Sequence, residues 1–428
     1  MMNLRARYVF PVAGPPIADG VVTLRGSRIT AVGRQRLSGD CRDLGNVAIL
    51  PGLVNAHAHL DLSDLPVPLG APPVDFVDWI KRVMAHRRTV GEGRGRALSL
   101  GLRESVGHGT TAIGDMAQPA GTGPFFGQMK LGWPRVVDRK HGPVPFKVAW
   151  NAAPVDGTVF LEIIAPTPER VAAACELALR HQQSACRSAP WRPGLAPHAP
   201  YSVHPELLRR MVALSADFGL PLALHLAESR EELELLRSCT GPLRGLLEDL
   251  GAWHPELLPA PARPLDYLRR LAQAHRALIV HGNYLDEEEI AFVAAQRGQM
   301  AVVYCPRTHA WFGHRRYPLE ELLAAGAVVA LGTDSRASSP DLSMLAEMRQ
   351  VHDKHASVPG NVVLELATIR AAAALGRAHE IGSLEPGKYA DLAVVALADG
   401  EPSDPHELLL AGDGPVVARY FRGRPCAA

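Results

Sequence analysis

The residues of this chain that could do chemistry are its histidines. There are 18 of them, against 10 Phe and 8 Tyr. Two stand as His57-Ala58-His59, directly after the apolar run Leu50-Pro51-Gly52-Leu53-Val54-Asn55. In an extended segment residues i and i+2 share a face, so both imidazoles can meet one metal ion. Four further polar residues also terminate short apolar runs. They are His198 after Pro197, His225 with Glu228 three positions on, His281 before Gly282-Asn283, and Asp334 within Thr333-Asp334-Ser335. Five His and one Asp gathered on one surface would be costly to desolvate without a ligand, and a metal accounts for them. Two His from one strand, a third His and an Asp give an N₃O donor set. That set suits zinc or a comparable divalent ion with one position open for water.

The elements that must position these residues can be read from the alternation of apolar runs and helical stretches. Strands are expected at Ile49–Ala56, Thr110–Gly114, Val159–Ile164, Gly194–His198, Leu222–Leu226, Leu278–His281, Ala301–Cys305 and Val328–Gly332. Helical stretches fall between most of them, as at Pro168–Cys186, Pro205–Phe218, Glu231–Arg237 and Glu287–Arg297. Strands separated by helices make parallel β-α units. Eight such units predict an α/β fold, a (β/α)8 TIM-like barrel, whose active sites lie where the strands end. Both chain termini read as short strands, among them Val21–Leu24, Ile29–Val32, Ala390–Ala396 and Val416–Phe421. They predict a small β-sandwich domain built from 1–53 and 378–428 around a barrel of 54–377. Gly241–Pro264 and Ala120–Pro145 read as insertions.

Composition narrows the partners. With 428 residues, 47% hydrophobic and 21% charged, the chain has ample material for a large core. A formal charge of +1 and the absence of basic stripes argue against a nucleic-acid partner. No stretch reaches the ~18 apolar residues of a membrane span, and no secretory signal pattern opens the chain. The six Cys show no C-x-x-C spacing and no disulfide framework, which fits a reducing cytoplasm. Cys305 reads as buried packing. Nucleotide P-loop, nucleophile-elbow, dinucleotide-fingerprint and H-E-x-x-H motifs are absent, as is the P-C-x-x-C that base-editing zinc deaminases need. A homo-oligomer is left open.

Leu50-Pro51-Gly52-Leu53-Val54-Asn55-Ala56-His57-Ala58-His59 resembles the opening motif of the amidohydrolase superfamily. Gly382-Ser383-Leu384-Glu385-Pro386-Gly387-Lys388-Tyr389-Ala390-Asp391-Leu392 resembles its C-terminal signature. Pro197–Ser202, His225-Leu226-Ala227-Glu228 and Leu331-Gly332-Thr333-Asp334-Ser335 resemble the branch that deaminates aromatic N-heterocycles. That branch includes S-adenosylhomocysteine/methylthioadenosine, aminodeoxyfutalosine and guanine deaminases and the triazine hydrolases. The resemblance implies a hydrolytic deaminase of an aminated purine-type ring, with water as co-substrate and one divalent metal, zinc ahead of iron. It implies His57, His59, His225 and Asp334 as ligands. Glu228 would shuttle the proton, Asp334 would take a proton from water, His281 would orient the hydroxide or the leaving group, and His198 would contact substrate.

The loop after the seventh strand departs from the adenosine-type pattern, reading Cys305-Pro306-Arg307-Thr308-His309-Ala310-Trp311-Phe312-Gly313-His314. So does Ser335-Arg336-Ala337-Ser338-Ser339-Pro340 after the eighth. Arg307, with His309 and His314 beside aromatics, suggests an aromatic substrate bearing a carboxylate or phosphate, such as aminodeoxyfutalosine. Trp79 is expected to reach the same pocket. Two other readings stand beside this one. One is a chlorohydrolase or cyclic amidohydrolase acting on a triazine-like or amide ring, and the other is a non-catalytic metal-binding scaffold.

Overall fold

The computed structural model describes residues 1–35, 40–90, 94–118, 150, 153–184 and 190–426. The insertion expected at 120–145 lies outside the described residues. All eight expected barrel strands form, as one parallel sheet in chain order. Barrel strands one to eight are Leu53–Ala58, Thr110–Ala117, Asp156–Ile163, Trp191–Pro197, Pro221–Leu226, Arg276–His281, Met300–Tyr304 and Val329–Leu331. The barrel closes where strand one meets the end of strand eight. Ala58 bridges Asp334, the Asp334 amide donates to the His57 carbonyl (3.1 Å), and the His59 amide donates to the Asp334 carbonyl (3.2 Å). Gly332 permits this approach, because a Cβ there would lie 2.8 Å from the His57 carbonyl oxygen.

Each barrel strand is covered on both faces, which is why it reads as an apolar run without polar alternation. Val54, Ala56, Phe160, Ala196, Ala223, Leu278, Val280, Val303 and Ala330 pack together inside the barrel. Leu161, Leu195, Leu222, Leu224, Ile279, Val302 and Leu331 pack outward against the helices. The short helix Ile369–Ala374 sits at the strand starts, where the Val54 amide donates to the Ala367 carbonyl (2.9 Å). Helices form at Pro168–Gln183, Pro205–Phe218, Arg230–Ser238 and Glu287–Ala295, close to the expected stretches. The stretch Gly241–Pro264 is better integrated than an insertion. It carries the helix Pro242–Asp249, whose Leu243, Leu246 and Leu247 join the main core.

The apolar run Ile49–Ala56 is two strands in two sheets. Val47–Pro51 pairs antiparallel with Leu392–Ala396, outside the barrel, and the chain crosses into the barrel at Gly52. A side chain at Gly52 would overlap Thr111, so only Gly fits the crossing. The two termini build a six-stranded sheet around Val47–Pro51 and a four-stranded sheet around Met2–Arg5. Leu4, Val22, Leu24 and Ile29 of the smaller sheet share one core with Ile49, Leu392, Val394 and Tyr420 of the larger. The hairpin Val21–Arg25/Arg28–Gly33 turns at Gly26, whose φ is 60°. Among the described residues no helix is long and apolar enough to cross a membrane.

Candidate active site

Strand alternation decides which polar residues face the barrel axis. Phe160 points inward on strand three, so Glu162 does too; Ala196 brings His198, Ala223 brings His225, and Ala330 shares its parity with Asp334. Strand one would miss, because Val54 and Ala56 are even and the histidines odd. Its pairing with strand two corrects this. Between Asn55 and Ala58 it advances three residues while strand two advances two, from Ile113 to Asp115. That bulge re-aims the chain so that His57 and His59 face inward. His281 falls on the outward parity of strand six, yet its ring reaches the cluster from a left-handed backbone (φ 69°). Ala227 (φ 53°) and Asp334 (φ 56°) share this conformation. Such residues cost on the order of 1–3 kcal/mol each and gather at functional sites.

The result is a buried donor cluster. His57 Nε2 lies 3.6 Å from Asp334 Oδ1, and His59 Nε2 lies 3.8 Å from the same oxygen. His59 and His225 face each other through Nε2 at 3.3 Å. His225 Nδ1 donates to the His198 carbonyl (3.0 Å), which leaves its Nε2 lone pair turned to the cluster. Neither ring nitrogen of His57 has a hydrogen-bond partner, although the residue is fully buried. Such orphaned nitrogens are costly unless a ligand satisfies them. One donor atom from each of His57, His59 and Asp334 falls within 4.8 Å of the others, as it does for His57, His225 and His281. His57, His59, His225 and Asp334 therefore fit a divalent metal ion.

Charge in the cluster is set by burial. Desolvation pushes the His59, His225 and His281 imidazoles well below their usual range, so they are neutral donors. Burial opposes ionisation of Asp334, but the imidazoles that surround it, His57 first at 3.6 Å, outweigh it and hold the carboxyl far below its usual value. Ser338 Oγ donates to Asp334 Oδ2 (3.0 Å). Burial, reinforced by the Asp334 charge, pushes the Glu228 carboxyl well above the carboxylate range. Glu228 Oε1 sits 3.4 Å from His281 Nε2. The Glu228 backbone is clamped from both sides, its amide donating to Glu232 (2.8 Å) and its carbonyl accepting from Asn283 (2.8 Å).

A cavity opens above the cluster, lined by His59, His198, His225, Glu228, His281 and Asp334 and walled by Leu62, Phe76, Trp79, Ile80 and Val83. Trp79 reaches it, its indole fixed by Nε1 donating to the Ala337 carbonyl (2.9 Å). Arg307, expected to bind substrate, is not among the residues that line it. Its guanidinium pairs with Glu347 (2.6 Å) and Asp341 (2.8 Å), because the helix Pro306–Trp311 turns it toward the fully buried Glu347. His309 and His314 pack behind the wall, His309 against Tyr304 and Tyr317, His314 stacked on Phe312 and bonded to Tyr284 (2.9 Å). Two charged residues that line the cavity were not anticipated. Glu162 could have been read from its place in Val159–Ile164, a charge inside an apolar strand two residues after an inward Phe. Arg87, paired with Asp61 at 3.2 Å, gave no such signal, since Arg82, Arg87 and Arg88 together read as a solvated helix face.

Comparison with known proteins identifies the family and the fold. The model of the amidohydrolase family matches residues 48–425. The 5-methylthioadenosine/S-adenosylhomocysteine deaminase of Moorella thermoacetica is 28% identical over 422 residues, 94% of this chain and 86% of that protein. The aminodeoxyfutalosine deaminase of Deinococcus radiodurans is 29% identical over 367 residues, 82% of this chain and 80% of that one. In fold, the chain superposes on the aminofutalosine deaminase of Helicobacter pylori, solved with methylthio-coformycin, with a TM-score of 0.80 at 20% identity over the whole of both chains. The barrel, the terminal sheets and the matched sequence together establish that this chain belongs to the amidohydrolase family.

Proposed function

We propose that the chain is a metal-dependent hydrolytic deaminase of an adenine-type nucleoside. One observation carries the reading. Glu228 is a buried carboxyl that lines the cavity over a nitrogen-rich donor cluster, three residues beyond a candidate ligand and 3.4 Å from His281 Nε2, where burial favours its protonated form. A carboxyl so placed can protonate a ring nitrogen next to an amine-bearing carbon, as hydrolytic loss of ammonia from an aromatic ring requires. The two relatives named as deaminases of adenine nucleosides support the same chemistry.

His57, His59, His225 and Asp334 would hold the metal, and their N₃O set suits zinc. When bound, the ion supplies Lewis-acid activation of water near neutral pH. Asp334, kept anionic by its imidazole neighbours, accepts the proton of the attacking water at a carboxylate oxygen. Glu228 delivers its proton to the ring nitrogen, so that negative charge does not build up on the ring. His281 orients the attacking and leaving groups through Nε2. His198 contacts substrate, with Nδ1 bonded to Ser202 Oγ (2.7 Å). Trp79 offers an aromatic face that excludes water. With Arg307 neutralised by Glu347 and Asp341, the reading rests on the adenine ring rather than on an acidic substituent.

Coupled ammonia release from adenosine, methylthioadenosine, S-adenosylhomocysteine, aminodeoxyfutalosine and guanine tests the proposal. At least one adenine nucleoside should be deaminated. Glu228→Gln should lower kcat by about 10²–10⁴-fold with bound metal unchanged. Ammonia from none of these substrates, or a fully active Glu228→Gln variant, would overturn it.

A further inference from the structure

Glu162 has no place in the chemistry above, yet it is buried and faces the donor cluster from strand three. We infer that Glu162 is a positioning residue of the metal centre, accepting the Nδ1–H of His59 when His59 ligates through Nε2. His59 Nε2 is the nitrogen that faces the cluster, 3.3 Å from His225 Nε2 and 3.8 Å from Asp334 Oδ1. Ligation through Nε2 leaves the ring proton on Nδ1, and a buried N–H needs an acceptor. His59 Nδ1 and Glu162 Oε1 lie 3.8 Å apart, both buried, and neither has another hydrogen-bond partner among the described residues. The two orphaned atoms answer each other, and closing the gap to an ordinary hydrogen bond takes about 1 Å. The other carboxylate oxygen is already anchored by Gln118 Nε2 (2.7 Å), which holds the carboxylate in this orientation. A carboxylate behind a ligating imidazole fixes its tautomer and raises its basicity, and losing such a partner typically weakens metal affinity about 10–100-fold.

The same carboxylate has an atom within 4.8 Å of donor atoms of His198 and His225, so a second cation is the competing account. Zinc affinity measured by chelator competition, with zinc per chain by atomic absorption, separates the two. The inference rests on the metal reading of the site but not on the deaminase reading, since no substrate enters the experiment. Wild type should bind one zinc per chain, Glu162→Ala should bind it about 10–100-fold more weakly, and Glu162→Gln, which keeps an acceptor oxygen, should recover most of the loss. Gln118→Ala, which frees the carboxylate without removing it, should weaken affinity a few-fold; it serves as the measurement if Glu162→Ala does not fold. One zinc in wild type with unchanged affinity in all three variants overturns the inference alone, as does a Gln variant as weak as the Ala. Two zinc ions per chain falling to one in Glu162→Ala overturns it in favour of the second cation. A wild type that binds no zinc overturns it together with the metal reading.

Discussion

Asn55 joins the two strands that carry three of the four candidate ligands, and replacing it with Ala should be costly. The residue is fully buried, and its side chain makes three hydrogen bonds. Oδ1 accepts from the amides of His57 (3.2 Å) and Thr333 (3.2 Å), and Nδ2 donates to Thr333 Oγ1 (2.7 Å). Asn55→Ala takes these partners from two backbone amides and a hydroxyl, all out of water. A buried polar group left unpaired costs about 1–3 kcal/mol, and taking the lower part of that range for three groups gives about 3–5 kcal/mol. Cavity formation adds little, because few apolar atoms are removed. Equilibrium urea unfolding of the metal-free protein, followed by Trp fluorescence, measures this loss without the metal's own contribution. Zinc affinity should fall in parallel, since His57 and Asp334 lose the link that sets their spacing. A loss below about 1 kcal/mol would refute the reasoning, showing that the strands are held in register by the barrel-closing backbone bonds alone.

Three other outcomes follow from the same geometry. Arg307→Ala should destabilise the fold by about 3–5 kcal/mol, because it strands the buried Glu347 carboxylate, while KM for acidic and neutral nucleosides should change equally; denaturation and paired kinetics check both. Stripping the metal with a chelator should abolish ammonia release and lower stability by about 2.7 kcal/mol relative to protein held at 100 times the metal's Kd; zinc should restore both. Burial lowers the His309 imidazole to about 4, below its usual 6.5. The unfolded chain therefore binds the proton first, so the stability His309 confers is complete above about pH 6.5 and is lost as pH falls toward 4. His309→Phe should flatten the stability–pH curve across that window, although His314, lowered to about 3 beside it, keeps a residual slope.

The barrel was legible because its strands are buried on both faces and its helices punctuate them, so Leu222–Leu226 or Ala301–Cys305 could hardly be anything else. The strand-end residues were legible for the same reason, since a His or Asp at the end of such a run is conspicuous. Strand one was not legible as two strands. Nothing in Ile49–Ala56 separates the half that pairs with Leu392–Ala396 from the half that lines the barrel, except Gly52, whose need for close contact with Thr111 is a tertiary fact. The pairing of Arg307 with Glu347 and Asp341 was not legible, because loop sequence reveals which residues are near a strand end but not which way a short helix turns them. The buried acid that claims it, Glu347, lies forty residues on, and its burial is invisible in a helix that reads as amphipathic.

Glu162 and His281 show how far alternation alone can go. Period-two counting from the apolar inward residues finds Glu162, His198, His225 and Asp334. The same counting rejects His281 and, without the bulge, His57 and His59. These three reach the cluster only through departures from regular strand geometry, a one-residue bulge and a left-handed backbone at the strand exit. A regular barrel would present side chains in fixed layers, too coarse a grid to converge four donors on one ion. The irregularities supply the missing degrees of freedom, and their backbone cost falls at Ala227, His281 and Asp334, in or beside the donor cluster. The strain at Ala227, His281 and Asp334 is thus a consequence of building a convergent site on a periodic scaffold, and the hydrogen bonds of Asn55, Glu232 and Asn283 to the surrounding backbone are what hold it in place.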